Sequence, residues 1–205
     1  MSDWDTETAE RYAQRYGDYP TNRLAVNALD LAADSTIVDV GCGTGSALRN
    51  AAARVSAGTL IGVDPVPRMI EIAREQTAGH PACPRIAFHE GRAEQLPLDT
   101  ASADVVLAFD SFDHWADKPR GLHEIRRVLR RHGRLAVVKD GGVPGGLHAR
   151  KAFADLLTNA GFEVLREREI AEADVWFTLW ECSAGGVAMA RGYQSPARLP
   201  GLGRI

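Results

Sequence analysis

The chain has 205 residues, of which 45% are hydrophobic and 25% charged, with a formal net charge of −3 and a pI near 6.1. That length suits one α/β domain, and the slightly acidic balance argues against a phosphate-coating surface, so nucleic acid is not an expected partner. No apolar run approaches the roughly 18 residues of a membrane span. The polar start Met1–Glu10 lacks the basic and apolar regions of a signal peptide, and the odd set Cys42, Cys83 and Cys182 offers no disulfide framework. A cytoplasmic protein without a membrane partner is expected.

Thr6–Tyr16 and Asn22–Leu31 read as two helices ahead of the first strand, Thr36–Val40. The following helix starts near Gly45 and carries Leu48, Ala51, Ala52 and Val55. A strand at Thr59–Val63 leads to a helix at Pro67–Gln76, where proline suits the first turn and Met69, Ile70, Ile72 and Ala73 supply the inner face. Strands are expected next at Ile86–His89 and Asp104–Phe109. Leu122, Ile125, Val128 and Leu129 recur at helical spacing, which predicts a helix over Lys118–Arg131 ended by Gly133, with arginines on its other face. A fifth strand at Arg134–Lys139 and a short connection, roughly Asp140–Leu147, precede a helix at His148–Ala160 that Gly161 stops. Glu163–Arg168 and Trp176–Glu181 are strands joined by a polar turn, as in an antiparallel edge hairpin. The tail from Ser183, rich in Gly, Ala and Pro, is expected to fray or pack loosely. Short apolar runs alternating with helix-period segments indicate βαβ units and a parallel sheet. The chain divides into a helical cap (1–34), a ligand-binding domain (35–182) and the tail (183–205).

Val38-Asp39-Val40-Gly41-Cys42-Gly43-Thr44-Gly45 lies where the first strand turns into the first helix of the sheet. Glycines let the backbone bend tightly there and approach a ligand, and the helix N-terminus beyond offers free N–H groups. Asp64, about twenty residues on, ends the second strand, where a carboxylate can accept bonds from ribose hydroxyls. A nicotinamide site would want G-x-G-x-x-G, but the glycines here are Gly41, Gly43 and Gly45, with serine at position 46 and Asp39 leading the loop.

This segment resembles motif I of class I S-adenosylmethionine (SAM)-dependent methyltransferases. Gly62-Val63-Asp64 with Met69 and Ala73-Arg74 is similar to the family's second strand and helix, and Gly91-Arg92-Ala93-Glu94-Gln95-Leu96-Pro97 to its G-D-A-x-x-L-P stretch, with Arg92 where aspartate is usual. Asp104–Phe109, Leu122–Leu129, Gly133-Arg134-Leu135 and Ala160–Val164 extend the resemblance over about residues 35–165, nearest to quinone-biosynthesis C-methyltransferases of the small-molecule branch. The resemblance implies a Rossmann-like α/β fold with a mostly parallel seven-stranded sheet, an antiparallel edge hairpin and helices on both faces. It implies SAM as cofactor, S-adenosylhomocysteine as product and a small-molecule acceptor. It also implies that Asp39 faces the ammonium, that Gly41, Cys42, Gly43, Gly45, Asp64 and Pro65 hold the adenosyl end, and that Met69, Arg92 and Ala93 lie at the adenine. Phe109 would meet the methionine end and Tyr16 would close over the cofactor from the N-terminal helix.

Methyl transfer from a sulfonium needs alignment and exclusion of water, and a base only where the acceptor must lose a proton. The wall for an acceptor is expected from Tyr12 and the loop Asp110–Trp115, including Asp113, His114 and Trp115. His114 and Asp110 are the candidate bases, against packing and capping roles in the same loop. His80, Cys83 and His89 match no common zinc spacing, so no metal is expected. The competing functions are a non-catalytic SAM-binding regulator and a nicotinamide-dependent oxidoreductase. Ser46 and the lack of Tyr-x-x-x-Lys count against the latter.

Overall fold

The computed structural model describes residues 4–140 and 146–185. The polar helix α1 (Thr6–Tyr16) is started by Asp5, whose carboxylate accepts the Thr8 N–H at 2.8 Å. Helix α2 (Pro20–Ala28) ends short of the expected Leu31, because Leu29 turns extended (φ −86°, ψ 150°) to bury its side chain in the core. There follow β1 (Ile37–Val40), α3 (Ser46–Ala51), β2 (Leu60–Asp64), α4 (Pro67–Thr77), β3 (Ile86–Glu90) and β4 (Ala103–Phe109). Next come α5 (Lys118–Val128), β5 (Leu129–Asp140), α6 (Gly146–Asn159), β6 (Glu163–Glu172) and β7 (Val175–Ser183).

The strands form one seven-stranded sheet in the order β3-β2-β1-β4-β5-β7-β6. The first five in that order are parallel, while β7 runs antiparallel to both β5 and β6. The expected hairpin is therefore present, with β7 as its inner strand. Strand alternation sends side chains to two cores. Ile37, Leu107, Ala136 and Val138 face α2 and α3, whereas Val38, Val106, Leu135 and Val137 face α5 and α6. Helix α4 shares Ile70 and Ala73 with the first core and packs Met69 and Ile72 against α1.

The junction of α5 and β5 also differs from its sequence-based expectation. The helix predicted to Arg131 stops at Val128, and Leu129 leaves it in an extended conformation (φ −69°, ψ 137°) to begin β5. Leu129 pairs with Ala103, and a bulge separates that pair from Val105 and Arg134, so Gly133 lies inside the strand and does not end the helix. The apolar spacing misleads because Leu129 is buried in either conformation. Gly161 ends α6 as expected, at φ +85°, with Gly161 N–H bonded to Thr158 O at 2.9 Å and Phe162 N–H to Leu157 O at 3.0 Å. Most of the Asp140–Leu147 connection and the tail beyond Gly185 lie outside the described residues. No helix among the described residues is long and apolar enough to cross a membrane.

Candidate functional site

All five parallel strands deliver their carboxyl ends to one side of the sheet, and the order places the β1–β4 junction at the centre. Such a junction, where the winding direction reverses, opens a crevice. The loop after β1 fills its floor. Gly41 takes φ +77°, and a Cβ there would stand 2.3 Å from that of Ser111, the residue that crosses beneath it from the β4 loop. Ser111 Oγ donates to Val40 O at 2.5 Å and fixes the two loops together. Gly45, also at φ +77°, caps α3 with the Phe88 ring against it, where a side chain would meet that ring at 2.7 Å. Arg49 spans the loop's far end, donating to Thr44 O at 2.6 Å and Gln76 Oε1 at 3.0 Å.

Two carboxylates stand in this crevice. Asp64 accepts Gly43 N–H at 3.0 Å on one oxygen and Val66 N–H at 2.9 Å on the other, so each oxygen keeps capacity for a further donor. Asp39 is 2% exposed and its Oδ1 has no hydrogen-bond partner. Burial, and then the charge of Asp64, pushes the Asp39 carboxyl up to about 7. Burial also raises Asp64, against the lowering effect of its two N–H donors. Cys42, between them, is buried and its thiol is pushed well above the ordinary range by desolvation and both carboxylates, which makes it packing and not a nucleophile.

The same cavity, of about 520 Å³, continues to an aromatic side. Along α1 and the residues flanking it, Trp4, Tyr12, Tyr16 and Tyr19 form a row with neighbouring ring centroids 4.8, 5.0 and 6.2 Å apart. Opposite, after β4, the one-turn 3-10 helix Phe112–His114 sets Phe112 4.7 Å from Trp115. Asp110 begins that loop at φ +52°. Lys139, near the end of β5, places its ammonium 2.6 and 2.7 Å from the Asp113 carboxylate oxygens.

Residues 38–137 match a family model described as a methyltransferase domain. An uncharacterized methyltransferase of Mycobacterium tuberculosis is 35% identical over 127 residues, 62% of this chain and 48% of that protein. The ubiquinone/menaquinone biosynthesis C-methyltransferase UbiE of Citrifermentans bemidjiense is 29% identical over 118 residues, 57% of this chain and 50% of that one. A solved SAM-dependent methyltransferase from Aquifex aeolicus superposes with a TM-score of 0.72 at 19% identity, covering 88% of this chain and 99% of that one. Over residues 38–137 the chain carries a methyltransferase domain, and its fold is that of a SAM-dependent methyltransferase. It spans about half the length of the two curated relatives described.

The crevice fits SAM, the cofactor of the solved relative, on its own chemistry. Asp39 offers a buried, unpartnered oxygen suited to an ammonium, and Asp64 offers two anchored acceptors suited to a diol. Pro65, Met69 and Ala93 line the cavity beside them, as do Gly41, Cys42 and Gly43. Gly45 does not line it: its place is the cap of α3. Arg92 lines the cavity with its side chain exposed, and its backbone bridges to Gln95. Phe109, Asp110, Asp113, His114 and Trp115 reach the cavity, with Asp113 and His114 exposed. Trp115 serves both purposes, lining the cavity while its ring packs over Gly121 of α5.

Several site residues are absent from the sequence-based expectation. Lys139 could have been found as a lone lysine closing an apolar strand whose carboxyl end must face the crevice. Thr44, whose Oγ1 donates to Gly17 O at 2.8 Å and ties the glycine loop to the end of α1, carries no such mark, and Ser111, expected as part of the Asp110–Trp115 wall, instead locks beneath Gly41. Their roles depend on contacts between residues far apart in the chain.

Proposed function

We propose that the chain transfers the methyl group of SAM to a small-molecule acceptor by in-line displacement. The observation that carries this reading is one cavity lined both by the carboxylates Asp39 and Asp64 and by the aromatic side chains Tyr12, Phe112 and Trp115. Its size lies within the roughly 300–1,000 Å³ of small-molecule sites. Bound SAM supplies a methyl group on a positively charged sulfur. Asp39 takes the ammonium, Asp64 the ribose hydroxyls, and Met69 and Ala93 flank the adenine. The aromatic row on α1 covers the crevice and excludes water, and the Phe112–Trp115 wall orients the acceptor.

Where an acceptor must lose a proton, exposed His114, which lines the cavity, is the base; Asp110 is the alternative. Both Asp113 carboxylate oxygens are engaged by the Lys139 ammonium. A quinone-pathway relative supports a small acceptor, and the reading carries a cytoplasmic location with it.

Calorimetric titration with SAM, S-adenosylhomocysteine and NAD tests the assignment. Both adenosyl ligands are expected to bind with micromolar affinity, about −8 kcal/mol, weakened at least about tenfold in Asp64→Ala because a ribose diol then has no acceptor. NAD is expected not to bind. Binding of NAD in place of SAM would refute the proposal, and SAM binding without turnover on any acceptor in a broad panel would make the chain a SAM-binding regulator.

A further inference from the structure

Among the described residues lining the cavity, the basic side chains are Arg92, His114 and Lys139. They differ in how they are held. His114 and Arg92 are both exposed, whereas the Lys139 side chain is only 11% exposed. Lys139 extends from β5, a strand paired on both sides, and its ammonium lies 5.9 Å from the Phe112 ring centroid and 5.2 Å from that of Phe153. Strand and rings together fix the cation in place. A cation so far from water needs a counter-charge. Asp113 supplies it, from a one-turn helix and with 65% of its side chain exposed. Lys118, which donates to Asp113 O at 3.1 Å, secures the backbone there but leaves the carboxylate free to turn toward solvent.

We propose that Lys139 is the acceptor-recognition residue, and that its ammonium exchanges the Asp113 carboxylate for the oxyanion of a planar acceptor bearing an acidic hydroxyl, a phenol or an enol. This rests on the methyltransferase reading above. The exchange costs little on the Asp113 side, since that carboxylate is largely exposed and water solvates it once released. Lys139 cannot follow it, so an incoming oxyanion restores the neutralised state. Charge is divided to match: Asp39 and Asp64 suit a cationic cofactor, while the fixed cation suits an anionic nucleophile. The rings of Tyr12, Phe112 and Trp115 offer faces and edges to a planar acceptor. Asp113 then excludes neutral or cationic acceptors, which cannot displace it.

The probe is para-nitrophenol, whose phenolate is read by visible absorbance, titrated with pH against the full chain saturated with S-adenosylhomocysteine. Bound to wild type, the phenol is expected to ionise at a pH lower by about one unit, so that the phenolate binds about tenfold more tightly than the phenol. Lys139→Met is expected to lose that preference while its affinity for S-adenosylhomocysteine stays within about twofold, and Lys139→Arg to restore it. Asp113→Asn, at an exposed position, is expected to bind the phenolate severalfold more tightly, because the internal competitor is gone. A merely structural lysine would not move the ionisation of a bound phenol. Equal preference in wild type and Lys139→Met, no tightening in Asp113→Asn, or no probe binding while S-adenosylhomocysteine still binds would overturn the proposal alone. Failure of wild type to bind S-adenosylhomocysteine would overturn the methyltransferase reading and this proposal with it.

Discussion

Asp39 carries a carboxylate held at the bottom of the crevice with one oxygen lacking any hydrogen bond. Its pKa of about 7, raised by burial and then by Asp64, contrasts with about 4 in an unfolded chain. Between those values the folded chain binds a proton that the unfolded chain has released, so this group lowers stability as pH rises through the window. Asp39→Asn is therefore expected to melt higher than wild type near pH 8 without ligand, by about 2–4 °C for each kcal/mol regained, while losing SAM binding. An ammonium beside Asp39 favours the charged carboxylate, which reverses the sign for binding. SAM affinity of wild type is expected to climb from about pH 5.5 to 7.5, approaching tenfold per unit where Asp39 is protonated in the free protein. A flat calorimetric profile over that range would exclude Asp39 as the ammonium's partner. The residue was visible in the sequence from its place ahead of the glycines, but its unmet oxygen was not, because that depends on what the neighbouring strands leave unfilled.

At the level of elements, α1 is the least anchored piece of the site. It touches α4 through Ala9 and through the ion pair from Arg68 to Glu10 at 3.1 Å, and it reaches the glycine loop through the buried Thr44–Gly17 bond. The ion pair is partly exposed and adds little, whereas a buried hydroxyl–carbonyl bond contributes about 1 kcal/mol. Thr44→Val keeps the volume and removes the donor. It is expected to speed proteolytic cleavage between α1 and α2 severalfold and to weaken SAM about fivefold, with the global melting temperature lowered by no more than about 4 °C. Unchanged cleavage would mean that the bond does not hold α1 closed. The helix Thr6–Tyr16 itself was readable to the residue, since Asp5 caps it and no competing strand pattern exists nearby. The boundary at Leu129 was not readable, because an apolar residue at a helix end satisfies the core equally well as the first residue of a strand.

For the whole molecule, the cavity draws residues from the carboxyl ends of β1, β2, β4 and β5 and from both N-terminal helices. A ligand filling it therefore binds only when the entire sheet is assembled. At about one hundred times its dissociation constant, SAM is expected to stabilise the fold by about 2.7 kcal/mol, raising a single melting transition by roughly 5–10 °C. A calorimetric scan with two transitions, only one of them moved by ligand, would contradict one cooperative unit. The sequence by itself determined the local and periodic features: the βαβ alternation, the glycine loop with Asp39 and Asp64, and the hairpin that ends the sheet. These are written within short windows, where spacing and backbone preference act directly. Tertiary structure alone decided that Ser111 forbids a side chain at Gly41, that Gly45 caps a helix and does not line the site, and that Lys139 meets Asp113 at the cavity wall. The Ser111–Gly41 and Lys139–Asp113 contacts join segments tens of residues apart, and only the order of strands in the sheet brings them within bonding distance.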